Sequence, residues 1–238
     1  MTTSRRAFLS VVPAAALHAS DKSAVVPSEA VRYADPATEF PVLRLTSPDH
    51  VSVLPSYLGK AVSRRGNFLL YSNDRSGTMQ PYRMDVKTGQ SRQLGEAGLL
   101  DPASLTYLPD ERSCLFLADG AVSQVNLSTF RTKEIYRIPE GFQGSGLCVN
   151  DDGLFAVVVE KKGSRSRLRL LNLVKGTAAT VLESEEEIAG AVPRPKRAGM
   201  LYRKAGQELH VVNFDGAQNQ RLRLGAGRLG PADRKSVV

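Results

Sequence analysis

The chain has 238 residues, 42% of them hydrophobic, enough to build a packed core and to exclude global disorder. It contains no tryptophan, and no apolar run is long enough to span a bilayer. The formal net charge is +8, which falls to +5 without Arg5, Arg6 and the last six residues; that mild basicity suits an anionic ligand, while no basic-aromatic pattern points to nucleic acid.

The N-terminus reads as a targeting segment. Thr3-Ser4-Arg5-Arg6-Ala7-Phe8-Leu9 matches a twin-arginine export signal, followed by a short apolar stretch from Val11 to Leu17. Ala14, Ala16 and Ala19 offer small residues for cleavage, so residues 1–19 are expected to be a signal peptide and not a membrane helix. The implied destination is the periplasm or the exterior. Residues 20–39 read as a linker. Phe40 to Leu58 are expected to give a partial sheet or a closing strand.

From there a unit of about forty-four residues repeats. Its first strands are expected at Phe68–Ser72, Cys114–Ala118, Phe155–Val159 and Gly199–Arg203. A polar turn precedes each one: Arg65-Gly66-Asn67, Asp110-Glu111-Arg112, Asp151-Asp152-Gly153 and Pro195-Lys196-Arg197. A second strand then ends in Asp or Asn at Asp85, Asn126, Asn172 and Asn213. Such a side chain can accept hydrogen bonds from its own following backbone and so start a turn. A third strand follows at Ser91–Leu94, Glu134–Arg137, Thr180–Leu182 and Arg221–Leu224.

The first strands are apolar on both faces, as expected of strands sandwiched between sheets. Even spacing without helical periodicity predicts an all-β fold, a β-propeller, with a sandwich as the alternative. Four units lie between Val62 and Leu224, and Arg228-Leu229-Gly230-Pro231 resembles the entry to a fifth. Four blades and partial ones make an incomplete ring with unpaired edges. Residues 40–232 are therefore read as a partial propeller. The tail Asp233 to Val238 back-translates into a common sequencing-adapter string, so residues 233–238 are expected to be an artefact that cuts a longer reading frame.

The segments Gly66 to Gly77 and Tyr82-Arg83-Met84-Asp85-Val86-Lys87-Thr88-Gly89 resemble TolB-type propellers. With Val42-Leu43-Arg44-Leu45-Thr46 and Asp49-His50 before them, the chain is similar to the oligogalacturonate lyase family from about Phe40 to Leu224. The resemblance implies a seven-bladed propeller that cleaves short pectin fragments by β-elimination. A base removes the proton beside a uronate carboxylate, and a divalent cation, Mn2+, neutralises that carboxylate. The family's metal ligands are three histidines and a glutamine, and its base is another histidine. This chain has only His18, His50 and His210, so it cannot supply that set, and no catalytic or metal residue is carried over. The implied partner is an anionic oligosaccharide. Two alternatives stay open: a non-catalytic TolB-like binding propeller, and the propeller of a prolyl-oligopeptidase-type enzyme.

His50 and Arg75 are the substrate-binding candidates. His50 holds a family-like position, and Arg75 ends a first strand, where a guanidinium can meet a uronate carboxylate. Arg75 can equally pair with Asp74 or Asp85. His210 alternates with apolar neighbours and reads as a packing or rim residue. Cys114 and Cys148 read as buried thiols, although an exported protein permits a disulfide. Glu185-Glu186-Glu187 and Arg194-Pro195-Lys196-Arg197 read as solvated loops. Ser76-Gly77 and Ser145-Gly146 lack the setting of a hydrolase nucleophile.

Overall fold

The computed structural model describes residues 25–204 and 208–222. Both the twin-arginine segment and the 233–238 tail lie outside these residues, as do residues 228–231 expected to open a fifth unit.

Four antiparallel sheets follow one another along the chain. Blade 1 holds β4 (Ser52–Val53), β5 (Phe68–Asn73), β6 (Gln80–Asp85) and β7 (Ser91–Gln93), with β1 (Val25–Val26) added at its outer edge. Blade 2 holds β8 (Thr106–Tyr107), β9 (Ser113–Ala118), β10 (Ala121–Asn126) and β11 (Thr132–Arg137). Blade 3 holds β12 (Gln143–Val149), β13 (Phe155–Lys162), β14 (Arg165–Asn172) and β15 (Thr177–Ser184). Blade 4 holds β16 (Ile188–Pro193), β17 (Gly199–Lys204), β18 (Glu208–Asn213) and β19 (Gln220–Arg221). A separate hairpin pairs β2 (Val31–Ala34) with β3 (Pro41–Arg44). The four sheets form the arc of an unclosed propeller.

The strands expected to come first in each unit are the second strands of four-stranded blades. Each is preceded by an innermost strand that carries little sequence signal. β4 and β8 are two residues long, and β12 and β16 are interrupted by register shifts at Gly146 and Gly190, both at positive φ. Crowding near the axis favours small residues there: a Cβ on Gly144 would lie 2.2 Å from Ile138 Cδ1.

The segment expected to be a linker, 20–39, instead contributes β1 and β2. Within Phe40 to Leu58, β3 closes the separate hairpin and β4 is the innermost strand of blade 1. Val26 and Leu45 pack on Tyr71, Tyr82 and Met84, covering the free face of blade 1.

Burial explains the doubly apolar strands. Along β9, Cys114, Phe116 and Ala118 enter the seam between blades 1 and 2, whereas Leu115 and Leu117 enter the seam between blades 2 and 3. Along β13, Ala156 and Val158 face blade 2, and Val157 and Val159 face blade 4. Leu58, from the loop after β4, reaches Cys148 and Val192 on the innermost strands of blades 3 and 4. The Cys148 thiol donates to the Leu58 carbonyl at 3.2 Å, which ties this loop across the centre of the arc.

The repeat also shows in the turns. Between the first two strands of each blade, Gly66, Glu111, Gly153 and Lys196 take φ of 70°, 57°, 74° and 55°. Between the last two strands, Asp85, Asn126 and Asn172 each accept two backbone N–H bonds through Oδ1, as the Asx-turn expectation requires. Blade 4 shifts this role to Asp215, which accepts from Ala217 N at 2.9 Å.

Candidate functional site

His50 precedes β4 and Arg75 follows β5, and antiparallel pairing brings them to one end of blade 1. The fully buried Asn73 organises this end. Its amide donates to Ser52 Oγ at 2.9 Å and to the Val51 carbonyl at 3.3 Å. Its Oδ1 accepts from Arg75 N and Arg75 Nε, both at 2.9 Å, and so aims the guanidinium.

The guanidinium meets neither of the aspartates expected as its partners. Arg75 Nη1 and Nη2 donate to the two carboxylate oxygens of Glu29 at 3.2 and 2.8 Å. Sequence reasoning missed Glu29, because it lies 46 residues away in the segment taken for a linker. Asp74 instead accepts from Val51 N at 2.9 Å, with His50 Nδ1 3.8 Å from the same oxygen. His50 keeps 37% of its side chain exposed.

Glu29 also accepts from Ser47 N at 3.0 Å. Burial raises the affinity of its carboxyl for a proton, but the bonds from Arg75 and Ser47 and the charge of Arg75 outweigh it. The pKa falls below the usual carboxylate value. Arg75 also lies over the Tyr82 ring at 5.5 Å. The two sequence candidates therefore do come together, in a polar cluster that binds a carboxylate, and the carboxylate bound is Glu29.

His210 stacks on Tyr202 at a centroid distance of 5.2 Å, and its Nε2 lies 3.2 Å from Glu208 Oε2, a packing position as expected. Cys114 and Cys148 are both buried thiols and form no disulfide. Among the described residues no three His, Cys, Asp or Glu side chains converge as a metal site. Asp74, the carboxylate His50 faces, accepts from Val51 N, and Glu29 is committed to Arg75 and Ser47, so these residues do not fit a manganese centre.

A second polar centre was not anticipated. Glu160 is fully buried in blade 3 and accepts from Tyr136 of blade 2 at 2.6 Å. It also accepts from Arg167, whose guanidinium lies 3.8 Å from the Phe142 ring centroid. On its strand it stands between Val159 and Lys161, where the apolar run gives way to charge, so no local pattern marks it as a buried cross-blade tie.

Four-stranded antiparallel blades following one another along the chain define the class as a β-propeller. The family model described as oligogalacturonate lyase matches residues 21–197, and the chain belongs to this family. The chain is 27% identical over 185 residues to the oligogalacturonate lyase of Dickeya dadantii strain 3937, covering 68% of this chain and 47% of that protein. It thus spans about half the length of that curated relative. An oligogalacturonate lyase solved in complex with manganese superposes with a TM-score of 0.80 at 21% identity, over 86% of this chain and 62% of that one. TolB from Acinetobacter baumannii superposes with a TM-score of 0.58 at 16% identity, over 82% and 53%.

Proposed function

We propose that these blades serve an exported lyase that cleaves short galacturonate oligomers by β-elimination. The observation that carries this reading is the family match across residues 21–197. Elimination needs a base at the proton beside the carboxylate and positive charge at the carboxylate itself. The described blades offer groups for the second task only: Arg75 binds a carboxylate in bidentate fashion, with His50 beside it. Manganese enters this proposal as the family's cation, and no step assigned to these blades passes through it. Export rests on the twin-arginine segment. No helix among the described residues is long and apolar enough to cross a membrane.

Disrupting the encoding gene should lower the host's release of unsaturated product from digalacturonate. Unchanged release would overturn the reading. The purified 238-residue chain should give no unsaturated product with digalacturonate and manganese, because its described residues hold neither a fitted metal set nor a base poised beside one. Turnover in that assay would show that the chemistry resides in these blades after all.

A further inference from the structure

The sequence Arg194-Pro195-Lys196-Arg197 reads as a solvated loop, but the fold sets it against blade 3. The turns before β13 and β17 lie side by side, at the end of the blades opposite to His50 and Arg75. Between them runs a groove of about 580 Å³. Phe155 of blade 3 and Phe214 of blade 4 line it, with ring centroids 5.8 Å apart and planes tilted by 51°. Both rings are only half-buried, so the seam presents aromatic surface to solvent.

The two walls differ in chemistry. Arg194, Lys196 and Arg197 form one wall, and Lys196 is held at φ 55°. The other wall carries Asp151 and Asp152, so the three cations leave the groove with a net positive charge of one; Asp152 Oδ1 accepts from Leu154 N at 2.7 Å, leaving its second carboxylate oxygen for other donors.

Some of the other cations on the described surface are neutralised by a carboxylate. Lys60 pairs with Glu111, Lys161 with Glu187, Arg165 with Glu183, Lys204 with Glu186 and Arg221 with Glu208. Among the described residues, none of the three groove cations makes an ion pair. Three like charges within four residues repel one another, and an incoming anion relieves that repulsion.

We infer that this seam is a binding site for an acidic oligosaccharide, a uronate chain, separate from the Arg75 cluster. The reading rests on the proposed lyase role for the choice of sugar. The chemistry of the groove matches the parts of such a ligand. Carboxylates meet the arginines, hydroxyl groups donate to Asp152, and the C–H face of a pyranose lies on the phenyl rings. A chain of several residues has room to continue. A second cavity of about 180 Å³, lined by Lys60 and Arg64, shares Asn150 and Asp151 with the groove.

Titrating the 238-residue chain with trigalacturonate tests this, with maltotriose as the uncharged control. Backbone amide shifts should move at residues 150–155 and 194–198, and calorimetry should show binding that weakens with added salt. The surface variant Arg194→Gln/Arg197→Gln should bind trigalacturonate at least tenfold more weakly while unfolding at the same temperature. Equal binding of maltotriose, shifts confined to residues 47–77, unchanged affinity in the variant, or no binding at all would each overturn the site. The gene-disruption assay reads the lyase reaction independently. Loss of product there, combined with no binding at the groove, refutes the groove alone. Binding at the groove with product release unchanged refutes the lyase reading alone.

Discussion

At the scale of single residues, Glu29 and Arg75 carry the clearest electrostatic consequence. Arg75 binds Glu29 with only 12% of its own side chain exposed, and the carboxyl titrates below its ordinary value. A carboxyl with a depressed folded pKa adds stability that is present above its unfolded value. That stability disappears as the pH falls through the folded value. Denaturant unfolding measured from neutral pH down through the carboxylate range should therefore show a shallower acid loss in Glu29→Gln than in the parent chain. Arg75→Ala should cost about 1.5–3 kcal/mol at neutral pH, the range for a charge-assisted hydrogen bond. Equal acid slopes in parent and Glu29→Gln would contradict the assignment. The thiols give a second test. Burial pushes the Cys114 thiol up to about 12, and Cys148 is equally enclosed. A thiol-reactive dye should label neither cysteine in the native chain and both after unfolding. Rapid native labelling would refute their burial.

At the scale of elements, the inner turns separate two costs that usually come together. Gly66 and Gly153 occupy equivalent turns at φ 70° and 74°. A Cβ at Gly66 would meet nothing within 4 Å, whereas one at Gly153 would lie 2.8 Å from Pro109 Cδ in the preceding blade. Gly66→Ala should cost only the left-handed backbone penalty, about 1–2 kcal/mol. Gly153→Ala should cost more, because it also pushes blades 2 and 3 apart; equal midpoints in chemical denaturation would show that the seam gives way freely. Tyr136 offers the complementary test across the same pair of blades. Its hydroxyl bonds the buried Glu160, and Tyr136→Phe removes that bond while keeping the ring beside Arg169. The expected loss is about 1.5–3 kcal/mol, read from equilibrium unfolding. A neutral result would mean that Glu160 is satisfied by its arginines.

At the scale of the whole molecule, three apolar seams join four blades, and the loop bearing Leu58 ties the centre. The two faces of the arc carry different chemistry. One bears the Arg75 cluster, closed by a carboxylate from the N-terminal segment. The other bears the open groove between blades 3 and 4. Activity and anionic sugar binding are therefore expected to separate in the 238-residue chain: binding without turnover.

By itself the sequence determined the repeating unit, the all-β class and most strand boundaries, because these depend on local patterns. Strands apolar on both faces, Asx turns at Asp85, Asn126 and Asn172, and turn residues at fixed offsets all act within a few residues of chain. The innermost strands escaped notice because two-residue β4 and β8, and glycine-bearing β12 and β16, have no length or alternation to read. His50 and Arg75 were each legible as candidates, but the β4–β5 pairing that brings them to one end of blade 1 was not, because β4 has no pattern to read. Only the tertiary structure decided that Glu29 closes over Arg75 and that Phe155 and Phe214 meet beside three cations. These contacts join residues from separate elements, and their energy depends on which surfaces the packed blades bring within a few ångströms.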